Sequence, residues 1–139
     1  MLKRYIATKD STITNAFKAN LSTRGTGSNM GASDIVEVFS IYAQASASST
    51  EAARAMLEFP VTSISTDRTA GAVPASGNVS FYLKMFNAKH QNTLPKNFYL
   101  EVLPVSGAWT EGDGLDMEDY SDKGAVNWIS ASSNTAWSL

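Results

Sequence analysis

The segment Ser49–Val61, "STEAARAMLEFPV", admits two readings, and the choice between them decides the fold class. As a helix it offers Ala, Glu, Arg, Met and Leu, all good helix formers, behind Thr50 and Glu51. A reciprocal capping box, however, needs its acid three residues after the hydroxyl, and here the acid follows directly. As a strand, "ARAMLEFPV" alternates, with Ala53, Ala55, Leu57, Phe59 and Val61 on one side and Arg54, Met56 and Glu58 on the other. The alternation runs unbroken to Val61, so a strand is expected.

The same period of two governs the rest of the chain. In "NVSFYLKMF", Val79, Phe81, Leu83 and Met85 oppose Ser80, Tyr82 and Lys84, as in a half-buried strand. In "NFYLEVLPV", Phe98, Leu100 and Val102 oppose Tyr99, Glu101 and Leu103 before Pro104 limits further pairing. "DIVEVFSIYAQ" is apolar on both sides and reads as a central strand, or one covered by a partner. Turn formers separate these runs, among them "TRGTGSNMGASD", "QASASSTEA", "TDRTAGAVPASGN" and "NAKHQNTLPKN". Short strands between frequent turns indicate an all-β protein, an antiparallel, jelly-roll-like β-sandwich. One such domain is expected over residues 10–139, behind an N-terminal arm of residues 1–9 that carries Lys3 and Arg4 and is suited to docking on a neighbour.

Composition narrows the chemistry. At 139 residues, 43% hydrophobic and 17% charged, the chain is long and apolar enough for one folded domain. The net charge of −2 argues against nucleic-acid binding by the surface as a whole. With no cysteine and a single histidine, His90, disulfides, thiolate catalysis and a His-pair metal motif are excluded within one chain. His90 sits in the turn-like "NAKHQN" without triad signals, no G-x-S-x-G is present, and "RGTGSNMG" lacks the Lys-Ser/Thr of a phosphate loop. The opening "MLKRYIATKD" has no apolar run behind its basic residues, and no apolar stretch of membrane-spanning length follows. Synthesis in the cytoplasm, without a signal peptide or a membrane partner, is the expectation.

The order of the elements carries a resemblance. "DSTITNAF" gives an acidic residue and a short strand, and Asn29-Met30-Gly31 leads into "DIVEVF". Arg54 opens "RAMLEFP", "NVSFYLKMF" follows, and Trp109-Thr110-Glu111-Gly112 is followed by Trp128. In this order the chain resembles the DNRLRE domain, or disaggregatase-related repeat, a β-sandwich that includes carbohydrate-binding modules, and the small structural proteins of tailed bacteriophages that carry such a domain. The resemblance implies structural roles for Asn29, Gly31, Arg54, Trp109, Glu111, Gly112 and Trp128, with Glu111 anchoring backbone amides. It also implies a non-enzymatic subunit on a virion surface, such as a capsid decoration protein. Its partners would be capsid or tail subunits and further copies of itself. The family continues into a further strand where this sequence ends "NTAWSL". Either the sandwich closes differently or a neighbouring chain supplies that strand, in which case the tail serves assembly more than folding.

Between the tryptophans, residues 111–122 hold six of the thirteen acids and no base, leaving eleven bases against seven acids elsewhere. Such asymmetry can orient a subunit against a partner. Asp113, Asp116, Glu118 and Asp119 are candidate calcium ligands by composition, although their spacing does not match an EF-hand loop. The plainer reading is a solvated loop, with no cofactor and no catalytic pair. Tyr82, Tyr99 and Trp137 are the candidate contacts for a host glycan or a partner subunit, since exposed rings stack on sugar faces. Core packing is the expectation for Trp109 and Trp128.

Overall fold

The protein is described by a computed structural model over residues 2–91, 96–119, 124–133 and 135–137. The contested segment is a strand. It forms β3, Thr50–Glu58, between β1, Lys9–Thr14, and β2, Phe39–Tyr42, in an antiparallel sheet of order β1-β3-β2. A two-stranded ladder of β4, Ser130–Ser132, and β5, Thr135–Ala136, lies near the C-terminal end. The fold is thus β-rich, with small sheets and one short helix among the described residues.

Register assigns the faces of the main sheet. Ser11 stands opposite Met56 and Ile13 opposite Arg54, whereas Thr12 stands opposite Ala55 and Thr14 opposite Ala53. The apolar core gathers on the Ile13–Met56 face, where both side chains join Trp109, Val126 and Ala131, with Trp128 and Trp137 packed against them. This corrects the expected polarity of β3: Met56, not the Ala55–Leu57 side, is the side chain delivered to the core. Ala53 is also buried, on the other face, so β3 is covered on both sides at its centre. Alternation alone located the strand but not its inner face, because Arg54, although exposed, shares the core side of the strand with Met56 and lays its guanidinium over Trp128, 4.3 Å from the ring centroid.

The strand ends at Glu58, before Phe59 and Val61 can continue the alternation. Pro60 then starts helix α1, Val61–Thr69, which the sequence does not announce. Its residues are mostly Thr and Ser, poor helix formers, and no residue in it is buried. Thr66 and Thr69 return their hydroxyls to the carbonyls of Thr62 and Ser65. Gly71, at φ 76°, closes it with the paired bonds of a Schellman motif, Ala72 N–H to Asp67 and Gly71 N–H to Arg68.

Two further expectations are corrected. "DIVEVFSIYAQ" is not a central strand, because its paired part, β2, is an edge with Ile41 and Tyr42 exposed. Neither Val79–Met85 nor Phe98–Leu103 forms a strand. An apolar period of two states which face a strand would bury, but a ladder needs a partner, and none meets these segments among the described residues. The C-terminal tail packs on its own chain: β5 pairs with β4, and Trp137 donates its indole N–H to the Asn127 carbonyl at 2.9 Å.

The N-terminal arm docks on α1. Tyr5 donates its hydroxyl to Asp67 at 2.7 Å and Lys3 pairs with the same carboxylate. No helix among the described residues is long and apolar enough to cross a membrane. The Lys3 bond, and then the Tyr5 bond, hold the Asp67 carboxyl below the ordinary aspartate value of 3.8. A depressed docked pKa means that the Asp67 carboxylate takes up a proton more readily once the arm has left it, so docking is intact above the ordinary value and is lost as pH falls through the lowered one. Hydrogen exchange should therefore show residues 2–8 loosening on acidification, and Asp67→Asn should loosen them at neutral pH without melting the β1–β3 ladder.

Candidate functional site

The residues that the sequence singled out converge on one buried side chain. Asn29 is fully buried in a segment without regular structure between the Phe17–Arg24 bridge and β2. Its amide N–H groups face three acceptors: the Ser11 hydroxyl at 3.1 Å, the Glu111 carbonyl at 2.6 Å and the Val126 carbonyl at 2.8 Å. Its Oδ1 accepts from the backbone N–H of Gly31 at 2.9 Å and of Gly114 at 3.2 Å. One side chain thus ties β1, the Asn-x-Gly turn, the acidic segment and the approach to β4. Burying an amide is tolerable only when its donors and acceptor are all engaged, and here they are.

The approach is so close that side chains are excluded around it. A Cβ on Gly31 would lie 2.3 Å from the Glu111 carbonyl oxygen, and one on Gly114 would lie 1.9 Å from the Asn29 carbonyl oxygen. Gly112 is at φ 82°, and a Cβ there would meet Ala125 at 2.4 Å and the Asn29 amide oxygen at 2.5 Å. The glycines of "NMG" and "EGDG" are therefore two halves of one contact.

Glu111 lies at the rim of this knot. Its carboxylate accepts the N–H of Asp10 at 2.7 Å, satisfying a donor on the outer edge of β1. Trp109, two residues earlier, is buried in the core, and Lys9 lies 5.6 Å from its ring centroid while pairing with Glu58 at 3.0 Å. Trp128 is half-buried beneath Arg54. The motif residues Asn29, Gly31, Glu111 and Gly112 meet in one place, and Trp109, Trp128 and Arg54 pack beside them.

The acidic segment is bonded in the same way. Asp116 accepts from the N–H groups of Glu118 and Asp119 at 2.8 and 2.9 Å. Glu118 reaches across to accept the Ala19 N–H, and its carbonyl accepts from the Lys18 ammonium. Asp113 is exposed. Asp122 lies outside the described residues. Among the described residues, no three His, Asp or Glu side chains gather into a group able to hold a metal ion. Tyr82 and Tyr99 are both exposed, whereas Trp137 is half-buried against the core.

Several residues of this network were not foreseen. Ser11 and Gly114 complete the Asn29 shell, and Asn127 accepts from the N–H groups of Ile129 and Ser130, both at 2.9 Å, to turn the chain into β4. Glu51 is 1% exposed and accepts the Phe17 N–H at 2.9 Å, an internal use for what the sequence presents as a charge beside a loop. The short polar residue before a turn in "VNWIS" was the available signal for Asn127; nothing local marks Ser11 or Glu51. Compared with family models, curated proteins and solved structures, the chain gives no match.

Asn29→Ala should destabilise the fold by about 3 kcal/mol or more, because buried carbonyls and N–H groups lose their partner together. Gly114→Ala should be at least as damaging, since its clash is with backbone. Denaturant titration measures both, and Glu111→Gln, which keeps an acceptor toward Asp10, should lose much less than Glu111→Ala. Deleting residues 133–139 should likewise lower the stability of the isolated chain, because the deletion removes β5 and Trp137 from the core.

Proposed function

We propose that this chain is a non-enzymatic structural subunit of a tailed-phage particle, a capsid decoration or other surface subunit. On this reading its domain is a jelly-roll-like β-sandwich of the DNRLRE type, completed when further strands join the small sheets. The observation that carries the reading is how the motif residues are used. Asn29 and Glu111, the polar groups of the resemblance, are both engaged by main-chain atoms of the same chain, and the glycines beside them exist to allow that approach. Groups engaged in this way build a scaffold. The arm, the sheet edges and the unpaired apolar segments then supply the contacts to capsid or tail subunits and to other copies.

A second reading has its own observation. Tyr82 is 86% exposed and Tyr99 is fully exposed, so both rings are free to stack on sugars. A module that attaches a particle or an enzyme to host polysaccharide would use them, and Tyr82→Ala and Tyr99→Ala would abolish retardation in polysaccharide gels.

Mass spectrometry of purified particles tests the first reading directly. The chain should appear in a fixed ratio to the major capsid protein, high for a head-lattice subunit and a few copies for a tail subunit. Its absence from particles overturns the virion reading and leaves glycan binding to be tested by the tyrosine variants.

A further inference from the structure

A compact monomer of 14.9 kDa exposes about 7,000 Å². This chain exposes 10325 Å², an excess of about 3,300 Å², which is at least one partner's share of a large obligate homodimer interface. Much of the excess has a definite address. From Ser80 to Ala108 every described residue is exposed, including Phe81 at 65% and Phe86 at 82%. No described residue between Val79 and Ala108 makes a hydrogen bond, so the segment has both an unburied apolar face and unpaired backbone.

The main sheet offers a matching vacancy. The outer edge of β1 is met by the Glu111 carboxylate at Asp10 and flanked by Asn29, but among the described residues β2 pairs only with β3 and leaves its other edge open. The run into β2 exposes Ile35, Val38, Ile41 and Tyr42, consistent with a sequence apolar on both faces. Charge adds direction. Residues 78–91 carry Lys84 and Lys89 with no acid, and residues 34–50 carry Asp34 and Glu37 with no base.

We infer that Val79–Met85 of one copy adds as a strand to the open edge of β2 in a second copy, and that the contact is reciprocal. Each chain offers one such strand and one such edge, so two equivalent contacts close a two-fold dimer. Phe81, Leu83 and Met85 extend the apolar face of β2, and Lys84 and Lys89 approach Asp34 and Glu37 of the second copy. The inference deepens the assembly reading above by naming the partner and the surface.

The test uses the full chain and charge exchange. Light scattering should find a dimer that weakens with salt. The double variants Lys84→Glu/Lys89→Glu and Asp34→Lys/Glu37→Lys should each raise the dimer Kd by about tenfold or more, since repulsion replaces facing ion pairs. All four side chains are exposed, and Asp34, Glu37 and Lys89 make no side-chain bond within the chain, so folding should be untouched and circular dichroism should confirm it. Mixing the two variants should restore association, which no general loss of stability would do. Hydrogen exchange should show residues 79–85 protected in the dimer alone. A monomer at all concentrations, variants that associate like the parent, no restoration on mixing, or protection of 79–85 in a monomer would each overturn the inference. The virion reading fails separately: a dimeric chain missing from particles removes that reading and keeps this one, and a monomeric chain present in particles does the reverse.

Discussion

The structure hangs on the carboxamide of Asn29. Three short strands cannot hold a domain of this size together by pairing alone, and the helix buries nothing that would help. The amide binds a strand from the start of the chain to two segments more than eighty residues later, and does so through main-chain atoms. Because its partners are carbonyls and N–H groups, it fixes where the backbone runs while leaving most neighbouring side chains free to vary. The exceptions are the glycines, which are required by the closeness of the approach. Trp109 and Val126 follow in turn: each is adjacent in sequence to a segment that the amide holds, and each is delivered from there onto Ile13 and Met56.

This arrangement explains what the sequence could and could not reveal. The strand at Thr50–Glu58 was legible because alternation and a failed capping box are local signals. The sequence also singles out "NMG" and "WTEG", although nothing local tells that these two motifs touch each other. Their contact depends on a loop closure spanning about half the chain, and sequence pattern carries no term for it. The burial of Met56 over Leu57 was lost for a related reason, since the inner face of β3 is set by where the Asn29 knot holds Trp109 and Val126. The helix Val61–Thr69 was missed because its residues have low helix propensity and no apolar stripe. Its support comes from outside, through Asp67 and the arm.

The acidic segment has a similar explanation. Six carboxylates in a dozen residues look like a reagent, yet the bonds of Glu111, Asp116 and Glu118 are to backbone N–H groups. A segment that cannot form a helix or join a ladder still has to satisfy donors around it, and short carboxylates do so at any local geometry. Glu111 meets β1 and Glu118 meets the Phe17–Arg24 turn, while Asp116 satisfies N–H groups of the segment itself. The carboxylate on the edge of β1 has a further consequence, for it closes that edge to pairing.

The two edges of the main sheet therefore differ in kind. A sheet open on both sides and carrying a free strand would add copies without end, since every addition would expose a new edge. With the outer edge of β1 met by Glu111 and the outer edge of β2 unpaired among the described residues, the main sheet has one place to receive a strand, and the inferred reciprocal exchange would use it in both copies at once. Closure of that exchange rests on its two-fold reciprocity, and the carboxylate that caps a single N–H meets an incoming strand on β1 at Asp10. A subunit paired as inferred would leave its remaining surface, arm and helix included, for contacts of a different kind.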